Sequence, residues 1–168
     1  MSSTLRIRSA LATDAPAITA IYAHHVVNGT ATFDTEPPSE AFWREKISHI
    51  LDRGWPYLVA EQADELVGYA YATQFRDRAA YSHTCEDSIY VAPGRGGAGI
   101  GTQLLDALAD AAASAGFQQM IGVIGGGEPA SVALHRKCGF VEAGRMREVG
   151  YKFGRLLDTV YMQRDLRG

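Results

Sequence analysis

Ser88-Ile89-Tyr90-Val91-Ala92-Pro93-Gly94-Arg95-Gly96-Gly97-Ala98-Gly99-Ile100-Gly101-Thr102 decides how this chain is read. An apolar, β-prone run gives way to a glycine-rich turn, which opens onto an Ala/Leu stretch with Leu104, Leu105 and Leu108 on one helical face. Strand, loop and helix start follow in succession. Glycines let backbone amides approach a ligand, and a helix N-terminus adds unpaired N–H groups and a partial positive charge. The segment is an anion-site candidate, with a flexible helix entrance as the plainer alternative. Two phosphate motifs fail on residue identity. A P-loop needs Lys where Thr102 stands. A dinucleotide fingerprint needs a third glycine at Thr102 and an acid about twenty residues on, where the chain reads Gln118-Gln119-Met120.

Working upstream, Leu5 to Arg8 alternates as a half-buried strand, and Thr13, Asp14 and Pro16 start a helix over 14–28 with Ile18, Ile21 and Tyr22 on one stripe. Thr30 to Pro38 reads as irregular, and Ser39 caps a second helix carrying Phe42, Trp43, Ile47, Ile50 and Leu51. Tyr57–Ala60 and Leu66–Tyr71 flank a polar turn as a hairpin, and Thr84–Val91 forms the next strand. Downstream, the helix runs from Thr102 to Ala115. Met120–Ile124 is a strand, Ala130–Lys137 a short helix, and Phe140–Asp165 holds further strand-like stretches. The order βααβββαβαβ predicts one α+β domain spanning 1–168 around a central sheet.

The composition sets outer bounds. With 168 residues, 46% apolar and 21% charged, the chain suits a single folded core, and its net charge of −3 gives no field for nucleic acid. Cys85 and Cys138 lack metal-ligand spacing, so they read as packed thiols, and no metal is expected. The charged, alternating first ten residues match neither a leader peptide nor a membrane span, which points to the cytoplasm and to no membrane partner.

Gly96-x-x-Gly99-x-Gly101 after a strand resembles the acetyl-CoA pyrophosphate loop of the GNAT acetyltransferase superfamily. The likeness extends along nearly the whole chain, closest to its phosphinothricin and methionine sulfoximine N-acetyltransferase branch. It is carried by Ala31-Thr32-Phe33 with Glu36-Pro37, Gly68-Tyr69-Ala70, Glu86-Asp87-Ser88-Ile89-Tyr90-Val91, Leu134-His135 with Gly139-Phe140, and Gly150 to Arg155 before Leu157-Asp158. The resemblance implies a twisted mixed sheet, splayed at the cofactor site, with helices on both faces. It also implies direct transfer of acetyl from acetyl-CoA to the amino group of a small amino-acid-like substrate, and a homodimer with Tyr151 to Arg155 near the second subunit.

Amine attack needs a proton acceptor, because an alkyl ammonium is protonated at neutral pH. Glu86, just before the cofactor strand, is the resemblance's general base; an ordinary strand carboxylate is the plain reading. Ile89, Tyr90 and Val91 are expected to offer backbone groups to the pantetheine arm and the developing oxyanion. Gly96, Gly97, Ala98, Gly99, Ile100, Gly101 and Thr102 are expected to hold the pyrophosphate. His135 stands where many superfamily members place a tyrosine acid, and acts either on the leaving thiolate or in packing. Phe33, Phe75, Arg76 and Tyr81 are acceptor-site candidates, Arg76 because a guanidinium grips a carboxylate or phosphinate. Two departures stand out. Gly96 takes the place of a usual Gln or Arg, with Arg95 next to it, and Glu128 stands where relatives carry asparagine. Readings from other classes are an acetyl-CoA-binding regulatory module without turnover, and a protein or peptide N-acetyltransferase.

Overall fold

The structure, a computed structural model, describes residues 3–168. Its elements are β1 (Arg6–Ser9), α1 (Ala15–Asn28), α2 (Glu40–Asp52), β2 (Tyr57–Gln62), β3 (Glu65–Gln74), β4 (Thr84–Val91), α3 (Ile100–Ser114), β5 (Gln119–Gly125), α4 (Pro129–Lys137), β6 (Val141–Lys152) and β7 (Arg155–Asp165). The seven strands form one mixed sheet in the order β1-β2-β3-β4-β5-β7-β6, antiparallel except where β4 meets β5.

Period-two alternation splits the apolar residues between the two faces. On one face, Tyr57, Val59, Tyr69 and Tyr71 pack against Ile18, Tyr22, Trp43 and Ile47 of α1 and α2. On the other, Ala60, Ala70 and Ala72 lie under Leu104, Leu105 and Leu108 of α3, joined by Val67, which the bulge opposite Ala60/Glu61 turns to this side. Small residues on that face let α3 sit close to the strands. Cys85 and Cys138 are free and buried, and burial pushes their thiols up to about 12 and about 11, which keeps both protonated and inert near neutrality.

The sheet opens at its parallel seam. β4 pairs with β5 from Thr84↔Gln119 to Asp87↔Gly122 and no further. β4 then stays with β3 as far as Val91, while β5 stays with β7 as far as the Gly125↔Thr159 rung. Ser88 to Val91 is left with no strand across its β5-facing edge. This is the expected splay, and helices cover both faces as expected.

Two details differ from the sequence reading. α3 begins at Ile100 rather than Thr102, because Gly99 adopts φ +78° as its N-cap and frees the next residue for the helix. The terminal region holds two long strands, so the order gains one β at its end. The β6–β7 turn is made by Phe153 and Gly154, with φ of +54° and +73°. Register shifts at Glu142/Gly144 and Met146/Gly150 break the alternation that would have announced β6.

Candidate active site

One cavity, of about 640 Å3, lies along the α3/α4 side of the opening. Ile89, Tyr90, Val91, Gly96, Gly97, Gly99, Gly101 and Thr102 all line it. Gly97 and Gly99 have φ of +79° and +78°, and a Cβ on Gly96, Gly97 or Gly99 would meet nothing within 4 Å, so the loop presents bare backbone to open space. No side chain caps α3, which leaves its first amides free for an anion. Ala98 is exposed beside the cavity. Ile100 turns its side chain into the core, so only its backbone is available to a ligand. Arg95 lines the cavity while its guanidinium bonds Glu65 Oε2 at 2.6 Å. Glu128 also lines this space, where backbone dipoles meet its charge. Its carboxylate accepts from the Ala130 and Ser131 amides at 3.2 and 2.8 Å, capping its own helix.

A second cavity, of about 240 Å3, sits in the opening itself and contains Phe33, Glu86, Asp87, Ser88 and His135 in its wall. Alternation along β4 turns Glu86, Ser88 and Tyr90 toward the α1/α2 layer and Asp87, Ile89 and Val91 toward the α3/α4 layer. Burial raises the Glu86 carboxyl above its ordinary value; Arg76 pulls it down, Asp87 adds to the rise, and Lys46 opposes it. The Arg76 guanidinium stands 3.9 Å from Glu86 Oε2 and 4.0 Å over the Phe75 ring. Phe75 meets Tyr81 edge-on at 5.8 Å, and this group stands outside the cavity wall, joined to it through Glu86.

Residues 29–33 form a wall shared by both cavities. Buried Lys152 of β6 donates to Gly29 O at 2.8 Å and Thr32 O at 2.9 Å. Tyr22 bonds Thr32 and Asp34. The Phe33 ring fits against Gly125 and Gly150, where any Cβ would collide with it.

Asp87 and His135 form a buried pair at the last β4–β5 rung. His135 Nε2 lies 3.0 and 3.2 Å from the two Asp87 oxygens, and Nδ1 lies 2.7 Å from Ser131 O. Burial works against the charged ring, but the Asp87 charge, its hydrogen bond and the Ser131 carbonyl outweigh this and raise its pKa.

The structure therefore brings Glu86, His135, Phe33 and Ile89 to Tyr90 around one opening, with the glycine loop on its cofactor side. Asp87, Thr32, Ser131 and Lys152 were missed by the sequence reading. Two adjacent acids on a strand do carry a signal, because one must face the inner layer. Among the described residues, no helix is long and apolar enough to cross a membrane, and no three His, Cys, Asp or Glu side chains group as metal ligands.

The acetyltransferase (GNAT) domain family matches residues 7–161. The chain is 51% identical to phosphinothricin N-acetyltransferase of Alcaligenes faecalis over 91% of its own length and 78% of that protein's. It is 40% identical to the L-methionine sulfoximine/L-methionine sulfone acetyltransferase of Pseudomonas aeruginosa, over 95% and 94%. The crystal structure of a phosphinothricin acetyltransferase from Sinorhizobium meliloti in complex with acetyl-CoA superposes with a TM-score of 0.92 at 48% identity, covering 98% of this chain and 89% of that one.

Proposed function

The chain belongs to the GNAT acetyltransferase family, and from that premise we propose that it transfers acetyl from acetyl-CoA to the amino group of a small amino-acid-like substrate of the phosphinothricin, methionine sulfoximine or methionine sulfone type. The observation that carries this is the opening between β4 and β5. The edge from Ser88 to Val91, which no strand pairs and whose Val91 carbonyl meets His25 Nε2 at 2.8 Å, has a glycine loop on one side and the half-buried Glu86 carboxylate on the other.

Acetyl-CoA, when bound, supplies an activated thioester. The amides ahead of α3 and the positive-φ glycines suit its pyrophosphate, and the unpaired β4 edge suits an extended amide-bearing arm. Glu86 takes the proton that the acceptor ammonium must lose, and its raised pKa makes it a better acceptor than an ordinary carboxylate. Backbone N–H groups of the same edge stabilise charge on the reacting carbonyl oxygen. Arg76, beside Glu86, meets an acidic group on the acceptor, with Phe33, Phe75 and Tyr81 as its apolar surroundings.

The whole chain acts as one domain, in the cytoplasm and without nucleic acid or membrane, as a homodimer. Support for the dimer is the outward side of the β6–β7 hairpin, where Val149, Tyr151, Phe153 and Leu156 are all exposed. CoA thiol release from acetyl-CoA across a panel of amino acids and analogues tests the activity. Release that requires an amine supports transfer. Acetyl-CoA binding without release under any amine favours a non-catalytic module, and release only with peptides favours a protein acetyltransferase.

A further inference from the structure

On the acetyl-transfer reading above, we infer that Lys46 of α2 is a specificity-determining residue: its ammonium, set over the Tyr71 ring beside the Glu86 rung of the sheet, receives an anionic side-chain end of the acceptor. The preferred acceptor is then an amino acid with two acidic groups, an α-carboxylate and a distal phosphinate or carboxylate. An acceptor with a neutral end, such as a sulfone or sulfoximine, leaves Lys46 unused.

Strand register places the ammonium. Thr73 opposes Glu86 and Tyr71 opposes Ser88, and residues opposite one another in an antiparallel pair share a face, so these side chains all turn to the α1/α2 layer. Successive rungs on one face lie about 7 Å apart. Lys46 Nζ stands 4.8 Å over the Tyr71 ring, with the Phe42 and Trp43 rings at 5.5 and 5.6 Å. Trp43 and Ile47 of α2 are buried against the sheet, and Lys46 borders that stripe, half-buried. Its stem runs along aromatic surface while its head stays available to a polar partner.

This cation has no partner of its own. Among the described residues no carboxylate forms an ion pair with it. Its charge nevertheless reaches Glu86, where it opposes the effect of burial, as the nearer Arg76 does more strongly. Lys46 also lines a hollow of about 320 Å3 between α2 and β3, together with Thr73 and with Asp77 of the loop that carries Arg76. His49 and Arg53 are there too, both exposed, and Arg53 lies over the Trp55 ring at 4.6 Å. Lys46 and Arg53 against the single acid Asp77 leave the hollow cationic. Arg76 and Lys46 divide the acceptor between them. Its nitrogen and α-carboxylate hang from one carbon, so the guanidinium 3.9 Å from Glu86 Oε2 fits the α-carboxylate. A side-chain acid lies further along the acceptor, and the cation set farther from Glu86, a compact point charge, fits that end.

Steady-state rates with phosphinothricin, glutamate, methionine sulfone and methionine sulfoximine, for wild type, Lys46→Met and Lys46→Arg, test this. They are compared at about pH 8, above the Glu86 limb that loss of the Lys46 charge moves for every acceptor alike. Wild type favours phosphinothricin over the sulfone. In Lys46→Met, kcat/KM for phosphinothricin falls about tenfold or more, through KM, while the sulfone and sulfoximine change less than about twofold; Lys46→Arg keeps the preference. Turnover of glutamate, lost in Lys46→Met, supports recognition of charge alone, and its refusal by wild type narrows the ligand to the phosphinate. An equal fall for all acceptors assigns Lys46 to packing or to Glu86 and overturns the inference, as does an unchanged value for phosphinothricin. A wild type that favours the sulfone over phosphinothricin overturns it without any variant having to fold. Absence of turnover in the wild type with any amine removes the acetyl-transfer reading and this inference with it; turnover that ignores the charge of the acceptor removes the inference alone.

Discussion

Glu86 and Asp87 are neighbours in sequence, yet the strand sends one carboxylate to each face of the sheet, and their chemistry diverges accordingly. Glu86 must be ionised to take a proton. Because burial raises its pKa, the acid limb of kcat/KM belongs above the ordinary glutamate value of about 4.3. Arg76 pulls that pKa down, so Arg76→Met moves the limb to higher pH and raises the amine KM; an unmoved limb in the pH–rate profile would dissociate Arg76 from the base. At this scale the sequence told a part of the story. Family resemblance singled out Glu86, which the structure sets in the wall of the opening, and the loop glycines marked an anion-site candidate that their residue types alone did not separate from a flexible helix entrance. Asp87 stayed hidden because its partner is a histidine 48 positions away, and Glu128 read as a bare charge because its capping bonds are a matter of backbone direction.

Elements decide how the walls are held. The segment 29–34 has no regular structure, and its position comes from contacts made by distant strands. Lys152→Met leaves the Gly29 and Thr32 carbonyls without their donor, at a cost on the order of 1–3 kcal/mol, measurable by urea denaturation. Gly150→Ala is a gentler probe. Its methyl evicts the half-exposed Phe33 ring, so the amine KM rises several-fold while acetyl-CoA affinity and melting temperature change little; an unchanged KM would show that Phe33 does not shape the acceptor side. The sequence read this segment as irregular, and rightly so, but a loop's anchors lie outside it. Helices α1 and α2 were legible from their stripes and from Ser39, whose hydroxyl does cap α2. β6 was not, because its bulges interrupt the period on which strand reading depends.

At the scale of the molecule, function follows from one place where a continuous sheet stops being continuous. A parallel pair that ends at Asp87 and Gly122 creates two approaches to one free strand edge, which is what a reaction between two separately bound substrates needs. Such a seam is a property of pairing across the fold, so the strands alone, however well predicted, do not disclose it. The apolar outer side of the β6–β7 hairpin belongs to the same scale. Tyr151→Asp combined with Phe153→Asp converts a sedimenting dimer to monomers; a wild-type protein that sediments only as monomers would instead remove the dimer from the account.

The most direct test of the central claim is to incubate the protein with acetyl-CoA and a methionine sulfoximine or phosphinothricin acceptor and to quantify thiol and N-acetyl product together, for wild type and for Glu86→Gln. The account predicts one N-acetylated product for each thiol released, with a rate that falls by about 10²-fold or more in the variant while acetyl-CoA binding persists. Thiol release without N-acetyl product, or equal rates in the two proteins, would contradict it.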